Sequence, residues 1–439
     1  ARIAKLEKAI DELETLGCKE EVLEPLRAEL RKLKIDDIQD QLNDLKSAKA
    51  AAAASPPSPA PPPAKRALRG RRGWRRPNRV PAALHLARRG KRVVVIETHY
   101  PGRFASGVNA GGVRRLSRDL AEIPLAEASL EIWNNIRALV DDDCDFHACG
   151  QLKIAESEED MAKLEVRARE VRELGYDHEQ PIGRDRLREI VPDVHPRAVG
   201  GLWCAGDGAA DPMRTTKAFY NKARAEGVLF RLGERVTGLR RANDQWRVTT
   251  DKGAVTAGHI LNCAGAWGDR IAEMLGDRVP LETHALTMMV TERVRPFLTP
   301  VCGLASRKLS FKQTTSGTLL IGGAHLGYAD RDAGVAEPDP RKMAMSAATV
   351  SDAFPIVRHV RVARSWAGLE GVTPDRIPVI GPSDASPGAW HAFGFSAHGF
   401  QLAPVVGRIM AELIVDGRTN LPVEPFRVGR FPATLGSAA

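Results

Sequence analysis

The chain has 439 residues, of which 43% are hydrophobic and 27% charged, the balance of a soluble globular protein with room for two or three domains. No run of about 18 apolar residues occurs, so no membrane-spanning helix is predicted, and the charged, helix-forming N-terminus points to a cytoplasmic chain rather than a secreted one. The net charge of +9 would suit nucleic acid, but much of it sits in the single run KRALRGRRGWRR (65–76), so no nucleic-acid partner is predicted. Six cysteines without a CxxC pair read as reduced thiols, and no metal site is predicted.

Ile3, Leu6, Ile10 and Leu13, then Leu23, Leu26, Leu30 and Leu33 after Gly17, recur at alternating spacings of three and four. They predict a helical hairpin or coiled coil over 1–47, either an oligomerisation element or an amphipathic helix pair with no assigned partner. Residues 48–81 form an Ala/Pro and Arg-rich linker, expected to be disordered. The body follows with AALHLARRGKRVVVIE (82–97): an Ala/Leu helix, a Gly stop and a Val-rich buried strand that ends in an acid. A long helix is predicted from Asp119 to Val140, a strand over 146–157, charged helix from Glu158 to Leu174 and helix from Pro212 to Glu226. Strands then recur through VLFRLGERVTGLRR, WRVTTDKGAVTAGHILNCAGA, LTMMVTERV and GTLLIGG, and the helix APVVGRIMAELIVDG closes at Gly417. This alternation predicts a parallel α/β domain interleaved with a second domain on a more antiparallel sheet.

Three stretches carry chemistry. GRFASGVNAGGVRR (102–115) is a small-residue loop expected to enter a long helix, where backbone N–H groups approach an anion or a flat ring. ILNCAGAWGDRIAEML (260–275) and GFSAHGFQLAPVVG (394–407) repeat the pattern of strand, small-residue turn and helix. One extended cofactor touched at several points explains such repetition, and FAD suits it better than a mononucleotide. Glu97, at the end of its strand, is placed to accept hydrogen bonds from an adenosine ribose.

With VVVIE, ASGVNAGGVR, GDGAADP, NCAGAW, WAGLEGVTPDRIPVIGP and FGFSAHGFQLAP in that order, the chain resembles the FAD-dependent oxidoreductases of the D-amino acid oxidase, glycine oxidase and sarcosine oxidase β-subunit family. The resemblance runs from about residue 82 to 431 and looks strongest toward the sarcosine-oxidase-β and opine-oxidase branch. It implies a Rossmann-like FAD-binding domain of glutathione-reductase type (82–142, 196–276 and 367–431) interleaved with an α+β substrate domain (143–195 and 277–366) on a mostly antiparallel sheet. It also implies that Glu97 binds the ribose and that Ser106, Asn109, Ala110, Gly111 and Gly112 line the pyrophosphate and flavin. Val236 would meet the adenine, Ala264, Gly265 and Trp267 would pack near the nucleotide, and Gly399, Phe400 and Gln401 would lie against the pyrimidine side of the flavin. The implied chemistry is hydride removal from a carbon next to nitrogen, giving an imine that water hydrolyses. Relatives that oxidise glycine have arginines where this chain has Glu370 and Ala397, so simple glycine or D-alanine oxidation is not expected. Arg114 and Lys312 are the candidate anion contacts, Glu370 a candidate for the substrate amine, and His398 a candidate beside flavin or substrate. The expected partners are a small amine or amino acid and a homo- or hetero-oligomer.

The family pattern begins with a strand and a G-x-G-x-x-G phosphate loop, and this chain has RGRRGWRRPNR at that place. Read one nucleotide further on, the Trp74–Arg75 junction must encode glycine, and the codons around it permit Gly-Gly-Gly-Gly-Pro-Thr-Gly-Ser, with glycines at shadow positions 74, 76 and 79. Glu97 then follows the first of them by about 20 residues, the usual spacing. A frameshift near residues 80–82 is therefore expected. The alternative for the chain as a whole is a non-catalytic or flavin-deficient product with a coiled-coil interaction segment.

Overall fold

The computed structural model describes residues 79–322 and 325–431. The expectations for residues 1–78, namely the coiled coil, most of the linker and the shadowed loop, lie outside the described residues.

The body starts earlier than the expected boundary at 82. The helix Arg79–Arg88 takes in Val80 and Pro81, and Val80, Ala82, Ala83 and Leu84 are all buried. These short side chains allow close packing on the C-terminal helix Gly399–Asp416, where a Cβ on Gly407 would come within 2.6 Å of the Pro81 side chain. A side chain at Gly407 would push the two helices apart.

The strand Val94–Glu97 runs parallel to Leu229–Leu232, with Glu97 opposite Leu232. A second parallel pair, Ile260–Asn262 with Ala389–Phe393, is extended by the antiparallel strand Val379–Pro382. On their other edges Val94–Glu97 and Ile260–Asn262 pair with no strand among the described residues. Around these short sheets pack the helices Ile123–Asn134, Pro212–Ala225 and Gly399–Asp416, which bury Trp133, Phe219, Ile409 and Met410 completely. Three strands over 236–257 form an antiparallel meander, and Gln245–Thr250 shows strict alternation, with Trp246, Val248 and Thr250 buried.

The second layer system is an eight-stranded sheet in the spatial order 362–372, 282–293, 318–322, 310–313, 301–304, 151–155, 200–204, 180–183. All its neighbours are antiparallel except Val301–Leu304 and Gln151–Ala155. Its core is Leu152, Ile154, Phe311, Leu319, Ile321 and Phe354. The strand Gly200–Cys204 belongs to this sheet, whereas the sequence boundary at 196 put it with the nucleotide-binding segments.

Other expectations are adjusted locally. The predicted helix 119–140 is two helices, Ile123–Asn134 and Ile136–Val140, because Asn135 leaves helical geometry (φ −115, ψ 21). The strand predicted over 146–157 is confined to Gln151–Ala155 after Gly150 at φ +80, with one isolated bridge at His147. The segment 102–115 does not enter a long helix: it holds one turn, Ala105–Val108, then the two-residue strand Gly112–Val113. A helix dipole therefore plays no part there. The Asp211 side chain caps Pro212–Ala225 and Ser157 caps Glu158–Glu173, as their sequences suggest. Five cysteines, Cys144, Cys149, Cys204, Cys263 and Cys302, are free thiols.

Candidate active site

A cavity of about 520 Å³ is walled by the 104–118 segment, the Gly265–Trp267 turn, the first turn of the C-terminal helix at Gly399 and Phe400, and the eight-stranded sheet. Its small-residue wall is held by side-chain bonds to backbone. Asn109 Nδ2 donates to the carbonyls of Ala105 (2.9 Å) and Ser106 (3.0 Å), while its Oδ1 accepts from Gly111 N–H (2.8 Å). Gly111 is obligatory: φ is +70, and a Cβ there would lie 2.1 Å from the Ala210 carbonyl oxygen. Trp366 Nε1 donates to Val108 O at 2.7 Å and ties this segment to the strand Val362–Val372.

That strand delivers Glu370 to the cavity, opposite His284 in the sheet register. Glu370 Oε1 accepts from Ala397 N–H at 2.6 Å, and burial pushes its carboxyl up to about 7 despite the Arg376 charge. Ser396 and Ala397 both have left-handed backbones, at φ +48 and +73, so the turn that presents this N–H is strained. His398 follows, its Nδ1 2.7 Å from Glu122 Oε2, and Glu122 is fully buried. Burial drives the two groups toward their neutral forms: Glu122 rises to about 7, opposed by Arg118 and Arg114, and His398 falls well below its usual value, helped by the same arginines.

Arg114 and Arg118 also line the cavity, near enough to Glu122 and His398 for their charges to act on both. Arg114 Nη1 donates to Leu116 O, and Arg118 Nε donates to Arg114 O at 3.1 Å. Arg118 is only 2% exposed, its Nη1 meets no partner, and burial with the Arg114 charge lowers it to about 9. The neighbouring acids are already engaged: Asp207 accepts from Arg115 and Leu116 N–H, and Glu179 accepts from Arg167 and Ser117 N–H.

The sequence model of the FAD-dependent oxidoreductases (DAO) matches residues 81–413. The chain belongs to this family. Hydrogen cyanide synthase subunit HcnC of Pseudomonas aeruginosa is 30% identical over 264 residues, covering 59% of the present chain and 62% of that relative, less than two thirds of its length. An opine oxidase subunit of Rhizobium meliloti is 26% identical over 319 residues, covering 70% of the chain and 82% of the relative. Among solved structures, L-proline dehydrogenase from P. horikoshii superposes with a TM-score of 0.75 at 27% identity, covering 80% of this chain and 94% of that one. Glycine oxidase from Geobacillus kaustophilus, at a TM-score of 0.74 and 20% identity over 80% of this chain and 96% of that one, shares the fold.

The cofactor of the family is FAD, and the oxidoreductase's cavity fits the flat end of that molecule. Backbone and small side chains from Ser106 to Gly112 form one wall, and the positive end of the 18-residue helix Gly399–Asp416 opens onto it.

Of the residues singled out from the sequence, the cavity brings together Ser106, Asn109, Ala110, Gly111, Gly112, Arg114, Gly265, Trp267, Glu370, Gly399 and Phe400. Six lie off its wall. Lys312 sits behind the loop, its Nζ 3.1 Å from where a Cβ on Gly111 would be, and burial brings it down to about 8. Glu97 is buried at its strand end, where Oε1 accepts from His99 N–H at 3.0 Å. Val236 begins a meander strand, and Ala264 is buried, its N–H bonded to Asn262 Oδ1 at 3.1 Å. His398 is turned to Glu122. Gln401 turns its side chain into the core, where Nε2 donates to Ala126 O at 2.9 Å. The sequence reading passed over Arg118, Lys153, Gln151 and Arg376, which also line the cavity. Only Arg118 left a local trace, four residues after Arg114 in RRLSRD.

Proposed function

We propose that the oxidoreductase removes a hydride from the carbon next to nitrogen in an amine or amino acid, with FAD as acceptor. The observation that carries this reading is the convergence of three small-residue turns on one cavity that also holds Glu370 and the arginines Arg114 and Arg118. When bound, FAD supplies a two-electron acceptor for the hydride. Ser106, Asn109, Ala110, Gly111 and Gly112 would hold it from one side, Gly265 and Trp267 from another, and the N–H groups of Gly399 and Phe400 at the helix start would offset negative charge on its pyrimidine edge. Glu97, Val236 and Ala264 remain candidates for the nucleotide half.

On the substrate, Arg118 and Arg114 would fix a carboxylate and Glu370 would receive the amine. A carboxyl raised to about 7 takes the amine's proton more readily than one of ordinary acidity, leaving the nitrogen lone pair free to assist C–H cleavage. The Ala397 N–H holds Glu370 in place for that role, and positioning supplies the rest of the rate. The imine product is hydrolysed by water.

Glu370 and Ala397 stand where glycine-oxidising relatives are expected to have arginines, which argues against glycine or D-alanine and favours sarcosine, an opine or a larger amino acid. The relatives from opine oxidase and sarcosine oxidase are named as subunits, which supports a hetero-oligomeric assembly for this chain as well. A cytoplasmic location is part of the same reading; among the described residues no helix is long and apolar enough to cross a membrane. The test is anaerobic addition of amines to the FAD-loaded protein. Loss of the flavin's visible absorbance with a secondary-amine amino acid supports the reading, and an unchanged spectrum across sarcosine, opines, proline and D-amino acids refutes it.

A further inference from the structure

Outside the cavity, three buried polar side chains meet in a series that the amine-oxidation reading leaves unused. Asn262, Asp277 and His391 are 3%, 5% and 0% exposed, and none of them lines the cavity. Asn262 is the last residue of the strand Ile260–Asn262, and His391 stands beside it in the parallel register. Past Asn262 the backbone leaves the ladder, so the N–H groups that follow need other acceptors. Asn262 Oδ1 takes that of Ala264 at 3.1 Å, and Nδ2 donates to Gly268 O at 2.8 Å, so one side chain ties both ends of the turn. Gly265, left-handed at φ +59, and Ala266 lie between these two bonds and face the cavity.

The partners of the amide set its orientation, because a backbone N–H can only donate and a carbonyl oxygen can only accept. Nδ2 is therefore the atom that faces His391 Nδ1, at 3.2 Å. An amide nitrogen offers hydrogens and no lone pair, so Nδ1 is the unprotonated ring nitrogen and Nε2 carries the proton. Nε2 lies 2.8 Å from Asp277 Oδ2, which receives that hydrogen. Burial alone would raise the Asp277 carboxyl, but the bonds from His391 and Ser383 hold it below the ordinary range. The Ser383 hydroxyl and the N–H groups of Asp384 (3.2 Å) and Ala385 (3.1 Å) fix the carboxylate in turn. The series from Asp277 through His391 and Asn262 to Ala264 thus has one consistent direction of donation. A second proton on the imidazole would set two donors face to face at Asn262.

Asn109 does for the 104–112 wall what Asn262 does for this turn, but its partners lie within four residues of it. Asn262 is instead held from a distance, by a histidine 129 residues further along the chain.

We propose that His391, oriented by Asp277, is a positioning residue for the cofactor: it fixes the Asn262 amide and, through it, the turn that presents Gly265 and Ala266 to FAD. This rests on the reading of that turn as part of the FAD wall and is independent of which amine is oxidised.

NMR of the imidazole nitrogens reads the tautomer directly. His391, identified by its absence from His391→Phe, should be neutral with its proton on Nε2. H391F keeps a ring and loses both nitrogens. In the protein without FAD, hydrogen exchange at the Ala264 N–H should quicken at least about tenfold in H391F, the effect of loosening one buried hydrogen bond. Affinity for FAD, measured by titration without any amine, should fall by about the same tenfold factor. N262A should weaken FAD as well, and N262A/H391F should bind it no more weakly than N262A alone, because His391 reaches the turn only through Asn262. A histidine that merely fills the core gives losses that add. An Nδ1-protonated or cationic His391 at neutral pH, unchanged exchange at Ala264 in H391F, or additive losses of FAD affinity overturns the proposal. Faster exchange with unaltered FAD affinity removes this turn from the FAD wall, and the proposal with it, while leaving the amine-oxidation reading intact.

Discussion

Replacing Glu370 by Gln tests its place in the cavity through stability as well as activity. Moving a carboxyl from the ordinary 4.5 to about 7 corresponds to about 3 kcal/mol at about 1.4 kcal/mol per pH unit. Glu370 is only partly shielded, so about 1–2 kcal/mol is the expected effect. The sign follows from proton binding: the folded state holds this proton more tightly, so stability is fully present below about pH 4.5 and is lost as pH rises through about 7. The glutamine cannot ionise and keeps an oxygen for the Ala397 N–H, so E370Q should gain stability relative to the unsubstituted protein at about pH 8.5 and gain little at about pH 4.5. Urea denaturation at the two pH values measures it. In the FAD-loaded protein kcat/KM should rise through about pH 7 as Glu370 ionises, and E370Q should flatten that rise. A stability difference that does not change with pH, or an unaltered pH profile in E370Q, refutes the reasoning.

Gly111→Ala should destabilise the protein by about 2–4 kcal/mol and lower its flavin content, because a left-handed backbone and a carbonyl 2.1 Å from the new Cβ act together; thermal denaturation and bound-flavin absorbance report both. Trp133→Phe, which removes the Nε1 donor to Gln401 O at 2.9 Å in a fully buried setting, should cost about 1–2 kcal/mol in urea denaturation. Gly407→Leu should cost about 3 kcal/mol or more by separating the helices Arg79–Arg88 and Gly399–Asp416, and no change in the urea midpoint would show that these helices do not pack as described. If the phosphate loop is encoded one nucleotide out of frame, the codons of Arg76 and Arg79 both end in G; sequencing the gene decides this, and any other base at either place rules the shadow motif out.

What could be read from the sequence follows the range of the interactions. Ile260–Met274 and the Gly399–Asp416 helix were legible because strand, turn and helix succeed one another within a few residues, and Gly417, at φ +74, stops the helix as a left-handed C-cap should. The segment 102–115 misled because its small residues say where backbone is exposed but not which element follows. Its partners, Ala210 behind Gly111 and Gly368 beside Val108, are distant in the chain. The place of Gly200–Cys204 in the eight-stranded sheet was likewise set by pairing with 151–155 and 180–183, which no local periodicity records.

The same distinction separates the site residues. Glu370 could be singled out because it stands in WAGLEGVTPDRIPVIGP at a place where glycine-oxidising relatives are expected to have arginine, and the structure puts it on the cavity wall. Lys312 had only the signal of a lone charge in the strand SFKQ, and it lies behind Gly111 near Cys149, Asp211 and Asp145. Strand alternation gives the face on which a side chain emerges, but the layer packed against that face decides whether it meets a ligand or the back of a loop. For Lys153 that layer is the cavity itself. Which face of a strand meets a ligand is thus a property of the assembled wall, and QLKIA alone does not show that Lys153 reaches the cavity.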